Sequence, residues 1–247
     1  MNAKKRIEEK PPQIADNSAA DVALQVLAEV CVMSKYILKF EKADSVKFVS
    51  HLDLIRVFDR AMRRAGLPMG YSQGFNPHPL MTFAHPLGVG IASESELLEM
   101  TLSSEIPAET LRDELNKTLP AGFKILKAVL IEGKNNFASL SYADYAIKLE
   151  GEFPKENLET VFRGFSELVV DKKTKSGIKK TDIKPFVIKF KEIEKGMLNV
   201  RLKTGAENLK PDLLVTALQE YIPELVVERA LILRTCLLNG KEEPLFE

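Results

Sequence analysis

From Tyr36 onward, apolar and polar positions settle into two periods. Tyr36, Leu38 and Phe40 alternate with Ile37, Lys39 and Glu41, the pattern of a strand buried on one face. If Leu38 and Phe40 face a core, the outward set is Ile37, Lys39 and Glu41, joined by Glu99 and Thr101. Ser50, followed three residues later by Asp53, has the form of a capping box. Leu54, Phe58, Ala61, Met62 and Ala65 then recur at helical spacing until Gly66 and Pro68 stop the helix. Strands are predicted at 80–85 and 97–102, a helix at 108–118 and a strand at 123–131.

The same order recurs downstream, with a strand at 142–149, a helix at 156–168, strands at 186–190 and 198–202, a helix at 212–221 and a strand at 225–235. Two βαββαβ runs predict an α+β protein of two tandem ferredoxin-like domains, each an antiparallel four-stranded sheet with two helices on one face. Their expected spans are 35–133 and 138–247, with the boundary near Gly133 to Phe137. The repetition is of pattern only, without a residue-level repeat. Residues 1–34, with "MNAKKRIEEKPPQIADNS" polar and interrupted by proline, read as a disordered or weakly helical leader. Met33, directly before "SKYILKF", is an alternative natural start to Met1.

Composition narrows the classes. With 247 residues and 45% hydrophobic content, the chain can build real cores. Lysine plus arginine equal aspartate plus glutamate at 35 each, so any surface for an anionic partner must be local. Two cysteines, Cys31 and Cys236, offer neither a disulfide framework nor metal-ligand spacing. No apolar run reaches membrane-spanning length, and the expected location is cytoplasmic.

The stretch "YSQGFNPHPLMTFAHP", 71–86, carries candidate chemistry. Pro77 and Pro79 fix their own φ and bias Asn76 and His78 toward extended backbone, so His78 is presented on a stiff bracket. Gly74 permits a turn, and Phe75 can anchor the loop or offer a face to a base. Phe75, Asn76, His78 and His85 are therefore the candidate functional loop. His51, His78 and His85, with Glu94, Glu96 and Glu99 following, contain the groups of a metal site or an acid–base pair. Their spacing matches no recognised ligand pattern, so neither a metal nor a cofactor is expected.

Cations form two further candidate sets. Arg56, Arg60 and Arg63 share one helix face, with Arg64 beside them just before the loop, in an arrangement that can hold phosphates. In the second half, Lys189, Lys191, Arg201 and Lys203 fall outward with Asn199 and Lys148, giving a basic sheet face next to the lysine-rich hairpin "DKKTKSGIKKTDIKP". Asp182 opens the "DIKP" that closes this hairpin, either a turn into the next strand or a second recognition element.

The motifs "SHLDL", "RRAGLP", "GFNPHP" and "ESE" between Phe48 and Met100, with a looser likeness through "DIKP" to "LRTCLL", resemble the radical-SAM-associated bacterial domain family of unknown function. Motif residues His51, Asp53, Glu94, Glu96 and Asp182 belong to that resemblance. It implies an accessory role beside a radical SAM enzyme and work on RNA, as an RNA-binding or substrate-presenting module. The chain itself has no three-cysteine cluster motif. Two alternatives stand beside this reading: a histidine-dependent RNA-processing enzyme, and a protein-docking domain that touches no nucleic acid.

Overall fold

The computed structural model describes residues 33–174, 177–205 and 207–245. The leader expected before Met33 lies outside the described residues. In chain order the elements are β1 (Ser34–Lys42), α1 (His51–Arg64), β2 (Met81–Phe83), β3 (Ala92–Leu102), α2 (Ala108–Thr118), β4 (Phe123–Ile131), β5 (Leu140–Glu152), α3 (Leu158–Gly164), β6 (Val169–Thr174), β7 (Gly177–Asp182), β8 (Val187–Glu194), β9 (Met197–Lys203), α4 (Pro211–Tyr221) and β10 (Val226–Asn239).

The α+β class holds, but the two tandem ferredoxin-like domains with separate four-stranded sheets do not. The strands form one mixed eight-stranded sheet in the order β4-β1-β3-β10-β5-β9-β8, with β2 also on β3. The physical cause is the unequal length of neighbours. Strand β3 has 11 residues and β2 only three, so β2 pairs with residues 98–100 and leaves the start of β3 bare. Exposed ladder groups seek a partner, and β10 supplies it. Leu233 and Arg234 lie in parallel register with Ala92 and Ser93 on one edge of β10, while its other edge pairs antiparallel with β5 along its length. β6 and β7 form a separate two-stranded hairpin in the expected lysine-rich segment.

Two apolar clusters hold the layers together. One packs Tyr36, Leu38 and Phe40 against Phe58 and Met62 of α1 and Leu111 and Leu115 of α2. The other gathers Tyr145, Ile147, Leu198 and Val200 under Phe162 of α3 and Leu214 and Leu218 of α4. Glu96 shares the face of Leu98 and Met100, and Arg234 that of Ile232 and Tyr145. The ion pair between them places both helix pairs on the same side of the sheet.

On the reverse side a second expectation fails. Ile37 and Thr101, expected outward, are buried. Ile37 and Leu97 belong to the cluster that includes Phe137 from the segment joining the halves, and Asn135 of that segment donates to the Glu99 carboxylate at 2.6 Å. The connector thus closes the face that a free-standing domain would leave open.

Candidate functional site

The "GFNPHP" loop is braced as its prolines suggest, with a further device at its base. Tyr71 bridges to Pro79, and the Ser72 amide donates to the His78 carbonyl at 2.9 Å. The Ser72 hydroxyl accepts from the His78 amide at 3.1 Å and shares a hydrogen bond with its Nδ1 at 2.8 Å. The His78 imidazole therefore helps to close the loop. Gly74 takes a positive φ of 125° at the turn. Phe75 at the tip is fully exposed and Asn76 is exposed beside it, so Phe75 offers both ring faces instead of anchoring the loop.

Helix α1 presents its arginines next to this loop. Its N-terminus is capped by Ser50, whose Oγ accepts from the Asp53 amide at 3.2 Å and donates to the Asp53 carboxylate at 2.7 Å. Ser50 and Arg56 hold the Asp53 carboxyl below its ordinary pKa. Leu54, Phe58, Ala61 and Met62 face the core, which leaves Arg56, Arg60 and Arg63 outward. Arg56 pairs with Asp53 on the surface and Arg63 with the partly buried Asp59, while Arg60 has no ion pair among the described residues. The Arg63 guanidinium lies 5.5 Å from the Tyr71 ring centroid, and the Tyr71 hydroxyl donates to Asp59 at 3.0 Å. Arginine row and loop root therefore adjoin. Arg64 turns away to the Thr118 carbonyl at 2.6 Å.

The three histidines do different things. His51 opens α1 with its ring edge-on to Phe83 at 5.3 Å, and its buried Nδ1 has no hydrogen-bond partner among the described residues. His85, at φ 44°, is where the chain leaves β2, and burial pushes its imidazole pKa down. Among the described residues no three of His, Cys, Asp and Glu converge as a metal ion requires. Glu94 is exposed, whereas Glu96 is buried. Asp182 accepts from the Leu168 amide at 2.8 Å and the Lys184 amide at 3.0 Å, which fixes "DIKP" as a turn.

Where β2 and β10 part along β3, a cleft of about 400 Å³ opens, bordered by His85, Val89, Tyr145, Asn208, Asp212 and Arg234. Its floor is ionic. Arg234 Nε donates to Glu96 Oε1 at 2.8 Å, Nη2 bonds the same carboxylate, and Nη1 satisfies the His85 carbonyl at 3.1 Å. Burial alone pulls the guanidinium pKa down, but Glu96 and Tyr145 push it up, so Arg234 stays charged. Lys42, also buried, donates to the Lys47 and Val49 carbonyls at 2.9 and 3.0 Å. Burial raises the carboxyl pKa of Asp212 at the cleft rim. Sequence reasoning missed Tyr145, Asp212 and Arg234. The available signal was a charge at an inward position of an apolar strand, Arg234 after Ile232 and Glu96 before Leu98 and Met100.

The basic sheet face is present, and much of it is neutralised. Arg201 Nε and Nη2 donate to the Asp144 carboxylate at 2.6 and 2.7 Å. Glu242 accepts from Lys189 Nζ at 2.8 Å and from Arg201 Nη1. Lys203 pairs with Glu207 at 3.3 Å and Lys148 with Glu150 at 3.1 Å. Lys191 and Asn199 stand opposite each other without such partners among the described residues.

These features define an α+β protein with one mixed sheet, a braced aromatic loop beside an arginine row, and a cleft with a buried ion pair at its floor. The profile of a family described as "Uncharacterized protein conserved in bacteria (DUF2344)" matches residues 35–211, and the chain belongs to that family. No curated protein matches it. Among solved structures it is similar to the crystal structure of an unknown protein from Galdieria sulphuraria, at 13% identity over 82% of this chain and 98% of that one. The TM-score is 0.26, too low to carry an argument about either molecule. No helix of the described residues is long and apolar enough to cross a membrane.

Proposed function

We propose that this protein is a non-catalytic RNA-binding module that presents a single-stranded segment to a radical SAM enzyme. The observation that carries the RNA reading is Phe75, fully exposed at the tip of a loop braced by Ser72 and His78 and adjoining the Arg56–Arg60–Arg63 face. An apolar ring gains free energy when a partner covers it. An exposed ring on a braced loop, whose root meets the arginine row at Tyr71 and Arg63, offers what a single strand needs, a face for a base and charge for its phosphates. The Arg56–Asp53 pair is exposed and weak and Arg60 has no ion pair among the described residues, so phosphates reach these two at little cost, whereas Arg63 also holds Asp59, whose side chain is only 21% exposed. The radical SAM partner rests on the resemblance of "SHLDL" and "GFNPHP" to the radical-SAM-associated family. An acid–base site that pairs two imidazoles is not formed, because His51 faces Phe83, His78 closes its loop and His85 borders the cleft.

The test is binding of a fluorescent single-stranded RNA oligomer by anisotropy across a salt series. Phe75→Ala is expected to weaken binding by about 1–3 kcal/mol, the worth of one stacked base. Arg60→Ala with Arg63→Ala is expected to flatten the salt slope by about 0.7 per lost phosphate contact. Unchanged RNA affinity in both variants would refute the reading.

A further inference from the structure

Residues 239–244 fold back over the basic sheet face. After β10, a tight turn is held by Asn239, whose Oδ1 accepts from the amides of Lys241 at 2.8 Å and Glu243 at 3.1 Å, while its own amide donates to the Glu243 carbonyl at 2.8 Å. Pro244 bridges back to Leu238. Within this turn Glu242 has φ 65°, and it shares with His85 a positive φ not otherwise found at a non-glycine position among the described residues. A bulky residue in the left-handed region is uncommon and costs free energy. That conformation sets one carboxylate oxygen, Oε2, against two cations from neighbouring strands, Lys189 of β8 and Arg201 of β9.

Asp144 makes the arrangement directional. It occupies Nε and Nη2 of Arg201 and leaves Nη1 to point at Glu242. Beside the pair, Lys191 and Asn199 line a hollow of about 260 Å³ together with Lys189, Arg201, Asp144 and Thr235. The carboxylate is held by a lysine and one guanidinium nitrogen, and a second lysine and an amide line the hollow beside it; together these are the donors of a phosphate site.

We propose that Lys189, Lys191, Asn199 and Arg201 form a second RNA-phosphate site on the reverse face of the sheet, and that Glu242 occupies it as an intramolecular carboxylate until RNA displaces it. The identity of the ligand rests on the RNA reading above, whereas the anion chemistry rests on this face alone. The turn is anchored by Asn239 and Pro244 and not by the Glu242 side chain, so the carboxylate can be neutralised without unfolding the turn.

The experiment is RNA anisotropy with the full chain as wild type, Glu242→Gln, and Glu242→Gln combined with Lys189→Ala and Lys191→Ala, each checked for an unchanged thermal midpoint. Glu242→Gln is expected to bind about two- to fivefold tighter, as when a weak competing ion pair is removed. Its salt slope should steepen by about 0.7 for each phosphate newly engaged. The two lysine substitutions should abolish the gain. If Glu242→Gln binds like the wild type while Phe75→Ala weakens binding, the occupied-site proposal is overturned and the RNA reading stands. If no variant binds RNA, both fall.

Discussion

Removing Arg234 strands a buried carboxylate. Glu96 and Arg234 have side chains only 4% and 2% exposed, and they meet across the junction of β3 and β10. A buried pair adds little over an apolar substitute of similar volume, but breaking it by removing one partner costs about 3–5 kcal/mol. Arg234→Met is therefore expected to lower stability by about that amount in urea unfolding, since Glu96 would lose its cation and the His85 carbonyl its donor. Adding Glu96→Met should restore a large share of the loss, with a coupling free energy far above that of an exposed pair. A simple sum of the two single effects would show that the residues do not act together.

The loop is a structural element without regular secondary structure, and its stiffness comes from both chain chemistry and one side chain. Pro77 and Pro79 were legible from the sequence alone, because proline restricts itself and its predecessor wherever it occurs. The Ser72–His78 closure was not, since only the folded turn brings residues six apart in sequence into hydrogen-bond range. Ser72→Ala removes both of those side-chain bonds, each worth about 0.5–1.5 kcal/mol net. Hydrogen exchange at the amides of residues 74–76 and 78 is expected to accelerate. RNA affinity should fall through the entropy of reordering Phe75, with little change in the thermal midpoint because the core is untouched. A large loss of global stability would instead assign Ser72 a role in the core. Helix α1 shows the opposite balance. Its cap, its apolar stripe and its arginine row were all readable, because each depends on spacing within one short segment.

At the scale of the whole molecule, the shared sheet makes the two halves interdependent. Their connection includes the β3–β10 ladder, the Glu96–Arg234 pair and an apolar cluster that takes Ile37 and Leu97 together with Phe137, Tyr145 and Ile147. Calorimetry of residues 33–247 is expected to show one transition with matching calorimetric and van't Hoff enthalpies. Two resolved transitions would mean that the halves fold as separate domains despite the seam.

The contrast between local and distant information explains what could be read in advance. Alternation and helical spacing placed most of the strands and helices, including 108–118 and 123–131 with the bounds the structure shows, because those periods record which side of each element meets a core. They also marked out the braced loop, the arginine face and the basic strands. What periodicity does not contain is which edge pairs with which. Only the tertiary structure decided that three-residue β2 leaves part of β3 bare for β10, and so turned two expected sheets into one. The same pairing set Arg234 against Glu96, 138 positions away, while the chain's fold-back placed Glu242 over Lys189 and Arg201. The β3–β10 pairing and its ion pair depend on the free energy of burying unpaired backbone and uncompensated charge, a property of the assembled chain and not of any segment within it.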